Sequence, residues 1–126
     1  MNVLVDSSVG VGHFKLSNEH LVALLEADAV VCHPYIVAEV ACGTPPSRQA
    51  IVGMLAELER APAATQDELL ALLDSRQLHG RGCGFVDMRL LASALVSEKT
   101  LIWTLDKRFE RLAIKANRAF SPKLHS

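Results

Sequence analysis

Features that define several common protein classes are missing from these 126 residues. No apolar run reaches the 18 residues or so that a membrane-crossing helix requires. Asp6 interrupts the first apolar stretch, whereas a secretion signal needs an unbroken apolar core there. The three cysteines, Cys32, Cys42 and Cys83, form no Cys-x-x-Cys pair, which argues against a disulfide framework and a structural zinc site. We therefore expect a cytoplasmic protein whose cysteines are small buried apolar residues.

Several catalytic motifs are missing as well. The chain has no P-loop sequence, no Gly-x-Gly-x-x-Gly after its first apolar segment, and no Gly-x-Ser-x-Gly around any serine. Its five histidines lack metal-ligand spacing, so we expect them to be structural or solvated. Aromatic residues make up 5% of the chain, too few for a platform on which nucleic-acid bases stack.

The charges divide unevenly, although the net charge is only −1. Residues 1–98 carry six Lys or Arg and 12 Asp or Glu, a net of −6. Residues 99–126 carry seven against two, a net of +5. This segregation is compatible with a metal site beside a phosphate-binding surface, and equally with a solvated helix face and a basic terminus.

Short apolar segments alternate with segments of helical periodicity. Strands are predicted at residues 2–5, 29–32, 62–64 and 100–104, and helices at 18–27, 34–42, 47–60, 65–78, 86–98 and 107–117. Ser17-Asn18, Ser47 and the capping box Thr65-x-x-Glu68 are the expected helix starts. The alternation predicts an α/β domain with a parallel sheet covered on both faces, with Trp103 in its core.

Four carboxylates interrupt apolar segments, where burying a charge is unfavourable. Asp6 and Asp106 each follow a predicted strand and could cap the next helix. Capping explains Glu39 and Asp87 less well, because Glu39 lies in mid-helix and Asp87 shares the core face of its helix. Two carboxylates about 4 Å apart repel by roughly 4 kcal/mol at an effective dielectric near 20.

A divalent cation resolves such repulsion, and Mg²⁺ or Mn²⁺ suits ligands that are all oxygen. The same ion supports hydrolysis of a phosphodiester by water. The residues alone thus point to a metal site formed by Asp6, Glu39, Asp87 and Asp106, with helix capping as the competing interpretation of Asp6 and Asp106.

Four ordered segments, covering nearly the whole chain, resemble the PIN-domain ribonucleases and, more narrowly, the VapC-type toxins of bacterial toxin–antitoxin pairs. They are VLVDSSV at 3–9, HPYIVAEVACG at 33–43, GRGCGFVDMRLLASAL at 80–95 and WTLDKRF at 103–109. The resemblance implies one PIN domain over residues 1–126, a three-layer α/β/α sandwich around a parallel sheet of four to five strands.

The resemblance also implies a function and a set of roles. Asp6 and Asp87 would be the principal ligands of Mg²⁺ or Mn²⁺, Glu39 and Asp106 would complete the acidic pocket, and Ser8 and Thr104 would support it. The activity would be cleavage of RNA, often tRNA or rRNA, that stops translation. The partners would be a cognate VapB-type antitoxin and a second copy of the chain, joined through helices 18–27 and 47–60.

Two departures from the family pattern bear on the RNA channel: Gly10 replaces an aromatic residue, and Met88-Arg89 replaces a small residue followed by His. Arg89 either binds phosphate or points away on the polar helix face, which its position favours. Competing functions are a catalytically silent PIN-like module that binds RNA or protein, a receiver domain and a haloacid-dehalogenase-like phosphatase. Serines after Asp6 stand where the last two classes need a second acid.

Overall fold

The computed structural model describes residues 1–10 and 18–122. Four strands form a parallel sheet in the order β3-β2-β1-β4. The strands are β1 (Asn2–Val5), β2 (Val30–Cys32), β3 (Glu59–Arg60) and β4 (Thr100–Trp103). Leu4 of the central strand lies opposite Val31 on one side and Ile102 on the other. The predicted parallel α/β sheet is confirmed.

The helices connect and cover these strands. They are α1 (Glu19–Glu26), α2 (Pro34–Cys42), α3 (Arg48–Glu57), α4 (Gln66–Ser75), α5 (Phe85–Leu95) and α6 (Lys107–Lys115), and residues 7–10 are also helical. Asn18 caps α1 by accepting a hydrogen bond from the Leu21 amide. Both bonds of the predicted Thr65–Glu68 capping box are present at the start of α4. His13, Ser17, Lys123 and His125 lie outside the described residues.

Both faces of the sheet are buried. Neighbouring residues of each strand point to opposite sides, so each strand contributes to two apolar clusters. Val3, Val30 and Trp103 pack in one apolar cluster with Leu21 of α1 and with Phe120. Leu4, Val31 and Ile102 pack in a second cluster, whose helical members include Leu90, Leu91 and Phe109. This arrangement confirms the three-layer α/β/α sandwich and the buried position of Trp103.

Some predicted boundaries are wrong. Residues 62–64 form no strand; β3 lies at Glu59–Arg60 instead, since Pro62 has no amide hydrogen for a sheet ladder. Ser47 does not cap α3, because its backbone is left-handed at φ 54° and its side chain makes no capping bond. The helices predicted at 47–60, 65–78 and 86–98 end earlier, at Glu57, Ser75 and Leu95.

Two predictions about single side chains have different outcomes. His33 is structural as expected: it is buried, and its Nδ1 accepts the Tyr35 amide at 3.0 Å as the N-cap of α2. Cys32 is buried, but Cys42 is exposed and Cys83 is only partly buried, so the expectation of buried cysteines is wrong for these two. Across residues 1–10 and 18–122, every helix is too short or too polar to span a bilayer.

Candidate active site and metal centre

Parallel strands end at one edge of the sheet, and Asp6 lies at this edge, directly after β1. Its amide donates to the carbonyl of Trp103 at 2.9 Å, which fixes the backbone against the end of β4. The side chain is buried, with 7% of its surface exposed. The Asp6 carboxylate is therefore placed by two neighbouring strands rather than by a flexible loop.

Two hydroxyl groups hold the Asp6 carboxylate. Ser8 Oγ donates to Oδ2 at 2.8 Å, and Thr104 Oγ1 donates to the same oxygen at 2.7 Å. Each hydroxyl also accepts a backbone amide, from Leu105 on Ser8 and from Asp106 on Thr104, so its proton is directed to Asp6. Oδ1 of Asp6 receives no hydrogen bond from any described residue. The carboxylate thus keeps one oxygen for a ligand.

Asp106 caps α6, as the capping interpretation predicts. Its Oδ1 accepts the amides of Arg108 and Phe109, each at 3.0 Å. The side chain is exposed, and Oδ2 receives no bond from the described residues. Capping and a role in the acidic site are compatible here, because the two functions use different oxygens.

Asp87 is half-buried at the third position of α5. Its Oδ2 accepts the Gly84 amide at 3.4 Å, a long bond of capping-box geometry that the sequence interpretation missed. Burial raises the pKa of Asp87; the Gly84 amide lowers it, and the negative charges of Asp6 and Asp106 raise it further. The capping bond is too long to offset the unfavourable environment of this carboxylate.

Glu39 lies within α2, and its side chain is exposed rather than buried. Ser7 Oγ donates to Oε1 at 3.5 Å, a contact that no sequence pattern indicated. Partial burial raises the pKa of Glu39, as do the nearby charges of Asp6 and Asp87, while the Ser7 hydroxyl lowers it. Glu39 therefore faces the same acidic cluster as the two aspartates.

The tertiary structure brings Asp6, Glu39 and Asp87 within electrostatic reach of one another, and Asp106 within reach of Asp87. Although all four acids interrupt apolar segments of the sequence, only Asp6 is buried; Asp87 is half-buried, and Glu39 and Asp106 are exposed. In the described part of the chain the one ion pair joins Lys107 and Glu110, so no described Lys or Arg forms an ion pair with the cluster. No three described His, Cys, Asp or Glu side chains stand close enough together to form a complete metal site.

The oxygens nevertheless fit one small divalent cation. Mg²⁺ is commonly held in proteins by only one or two carboxylates, with water and substrate phosphate in its other positions. Asp6 with its unbonded Oδ1 and Asp87 with its raised pKa are suitable oxygen donors of this kind. A site of two carboxylates is also consistent with the absence of a three-residue cluster in the described ranges.

Arg89 does not lie on a solvated polar helix face, because its guanidinium group contacts other parts of the protein. Its Nη1 donates to the Ala64 carbonyl at 3.1 Å, and its Nη2 donates to Gln66 at 2.7 Å. The guanidinium group also lies over the rings of Tyr35 and Phe85. Arg89 is thus partly buried against its neighbours, where it fixes α5 beside α2 and α4.

Comparison with known proteins agrees with this architecture. The family model described as PIN domain matches residues 3–115. Two curated relatives, both named Ribonuclease VapC32, come from two strains of Mycobacterium tuberculosis, CDC 1551 / Oshkosh and ATCC 25618 / H37Rv. Each is 36% identical over 122 residues, covering 97% of this chain and 98% of the relative. With this coverage and a parallel sheet that gathers the acids at one edge, the chain belongs to the PIN-domain family and, within it, to the VapC ribonucleases.

Proposed function

We propose that this protein is a metal-dependent endoribonuclease, the toxin of a VapBC-type toxin–antitoxin pair. The observation that carries the proposal is the cluster of Asp6, Glu39, Asp87 and Asp106, four acids with which no described Lys or Arg forms an ion pair. The two curated relatives are ribonucleases and match this chain over nearly its whole length, which supports the same chemistry here.

Asp6 and Asp87 would hold one Mg²⁺ or Mn²⁺ ion, with Glu39 and Asp106 holding water around it. When bound, the ion favours attack by water and neutralises charge that develops on the phosphodiester. Ser8 and Thr104 orient Asp6 by donating to its Oδ2. Asp106 uses Oδ1 for the α6 amides and has Oδ2 available for the site.

Glu39 would be the proton acceptor for the attacking water. Oε1 accepts the long bond from Ser7, so Oε2 is the oxygen that would take the proton. A raised carboxyl pKa makes proton transfer from water less unfavourable, because the pKa of a general base then lies closer to the operating pH. Glu39 would thus act as base while Asp6 and Asp87 bind the metal.

The proposal includes the partners implied by membership in this family. The RNA substrate would be tRNA or rRNA, and its cleavage would stop translation. A VapB-type antitoxin would inhibit the enzyme. A homodimer would form through α1 and α3, between which Leu21, Leu25, Met54, Leu55 and Leu58 line an apolar depression. Size-exclusion chromatography with light scattering tests the dimer, which a monomeric mass at micromolar concentration would contradict.

Replacement of Asp6 by Asn tests the nuclease. Asp6→Asn should reduce Mg²⁺- or Mn²⁺-dependent cleavage of RNA by at least about 100-fold, since it removes the charge of a principal ligand. Chelation by EDTA should abolish cleavage by the parent protein, and added metal should restore it. The circular dichroism spectrum should be unchanged.

Asp28→Asn is a matched control. Asp28 is exposed between α1 and β2. It precedes a strand, whereas Asp6 follows one, so the two lie at opposite edges of the parallel sheet. The left-handed backbone of Asp28 also suits asparagine. If Asp6→Asn cleaves RNA as fast as Asp28→Asn, the proposed role of Asp6 in the nuclease is wrong. If neither the parent nor Asp28→Asn cleaves RNA, the protein is a binding module instead. New RNA 5′ ends after induced expression of the parent, absent with Asp6→Asn, would identify the natural substrate.

A further inference from the structure

A groove of about 540 Å³ runs between α6 and the loop at residues 80–84. It is lined by Arg81, Gly82, Arg108, Arg111, Leu112 and Lys115. Every charged side chain among these is positive. The groove therefore has the charge of a surface that binds a polyanion.

The basic residues of α6 form a continuous stripe. Arg108, Arg111 and Lys115 are spaced by three and four residues, so they lie on one side of the helix. From Arg108 to Lys115 the helix rises about 10 Å, a length along which a nucleic-acid strand carries more than one phosphate. All three side chains are exposed, and no carboxylate of the described ranges forms an ion pair with them. Their charge is available to a ligand.

On the other side of the groove, the loop at residues 80–84 holds the guanidinium group of Arg81 in place. Nε and Nη2 of Arg81 both donate to the Gln77 carbonyl, at 3.1 and 3.0 Å. Gly82 has a left-handed backbone at φ 78°, and a Cβ there would lie only 3.3 Å from Arg108 Cδ. The glycine thus permits the loop to pack closely against the first turn of α6, which positions two guanidinium groups before any ligand arrives.

The groove lies next to one acid of the site, at the start of α6. The Arg108 amide donates to Asp106 Oδ1, so the basic stripe and this acid share the start of α6. Cys83 is within electrostatic reach of both regions: burial raises the pKa of its thiol, the charges of Asp87 and Asp106 raise it further, and Arg108 lowers it. A strand whose phosphodiester is at the carboxylates can continue directly into the groove.

We infer that this groove binds the backbone phosphates of the single-stranded RNA next to the cleaved bond, with Arg81, Arg108, Arg111 and Lys115 as the phosphate-binding residues. The inference rests on the proposed nuclease function. An acidic segment of a partner protein would also be attracted to this charge. A phosphodiester backbone is favoured because the proposed nuclease must bind it at the carboxylates, and its negative charge also complements the groove. These residues position the substrate and take no part in bond cleavage.

The test measures RNA binding separately from cleavage. In the Asp6→Asn background, binding of a short single-stranded oligoribonucleotide is measured by fluorescence anisotropy as a function of salt. Arg111→Gln/Lys115→Gln should weaken binding and reduce the magnitude of the slope of log K against log salt by about 1.4, since each lost phosphate contact changes it by about 0.7. With Asp6 intact, the same pair should raise KM for cleavage and leave kcat unchanged.

Two matched variants separate specific contacts from total charge. Arg111→Lys/Lys115→Arg keeps both charges and should retain the parent salt slope. Arg60→Gln/Lys99→Gln removes two exposed charges outside the groove and should leave affinity and slope nearly unchanged. Circular dichroism of every variant checks that the fold is intact.

The inference is wrong if the Gln pair, Arg111→Gln/Lys115→Gln, shows the same salt slope for RNA binding as the Arg60→Gln/Lys99→Gln control. It is equally wrong if Arg111→Lys/Lys115→Arg reduces the salt slope as much as the Gln pair does. It is also wrong if the Gln pair loses affinity for poly-glutamate but not for RNA, which would assign the groove to an acidic protein. Failure of the nuclease proposal is a distinct result, absence of cleavage by the parent, and leaves the measured slopes intact as a test of the groove.

Discussion

Removing the charge of Asp87 should stabilise the protein in the absence of metal. Its carboxylate is half-buried, receives only the 3.4 Å bond from Gly84, and is repelled by Asp6 and Asp106. Solvent-screened charge pairs are worth about 0.2–1 kcal/mol each, so relief of two repulsions in Asp87→Asn should add about 1 kcal/mol to the free energy of unfolding. For a chain of this length that gain raises Tm by about 4 °C.

The pH dependence has a definite sign. Because the folded-state pKa of Asp87 is raised, the folded protein holds this proton more tightly than the unfolded chain does. The resulting destabilisation of the parent is complete above the folded-state pKa and disappears as the pH falls below 3.8, the ordinary aspartate value. The difference in Tm between Asp87→Asn and the parent should therefore be largest at neutral pH and vanish in acid.

Metal should reverse the order of stability. An ion present at ten times its Kd stabilises the folded parent by about 1.4 kcal/mol, whereas the variant has lost a ligand. Thermal unfolding in EDTA and in Mg²⁺, followed by circular dichroism, measures both effects, with Asp28→Asn as a control that should melt with the parent. If Asp87→Asn melts below the parent in EDTA at neutral pH, the carboxylate is a structural cap and the reasoning is refuted.

Two further predictions concern the frame of the site. His33→Asn keeps an N-cap side chain but does not titrate. Burial lowers the pKa of His33, and the charge of Arg89 lowers it further. The parent should therefore lose stability as pH falls below about 6.5, because the folded state disfavours the protonated imidazole. Chemical denaturation at several pH values should show a flatter profile for the variant; equal slopes would contradict this. Gly82→Ala should lower Tm by about 4 °C through its left-handed backbone, whereas Gly53→Ala, in an exposed helix, should raise it.

Much of the fold could be predicted from the sequence because its signals are local. The capping box at Thr65–Glu68 and the proline that opens α2 act within one helical turn, and both helices begin where they predict. Boundaries governed by packing were less predictable. The strand expected at residues 62–64 is replaced by β3 at Glu59–Arg60, an exposed polar pair that joins the sheet through backbone pairing with β2.

The sequence by itself determined the residue types of the site, their order, and the end of the strand at which Asp6 lies. Only the tertiary structure decided how each acid is held. Thr104 donates to Asp6 across 98 residues of chain, and Ser7 reaches Glu39 across 32, contacts that no local pattern encodes. The same holds for the basic groove, whose cations come from the 80–84 loop and α6. Chain folding converts distant positions into neighbours, and electrostatic and hydrogen-bond energies depend on distance in space rather than on separation in sequence.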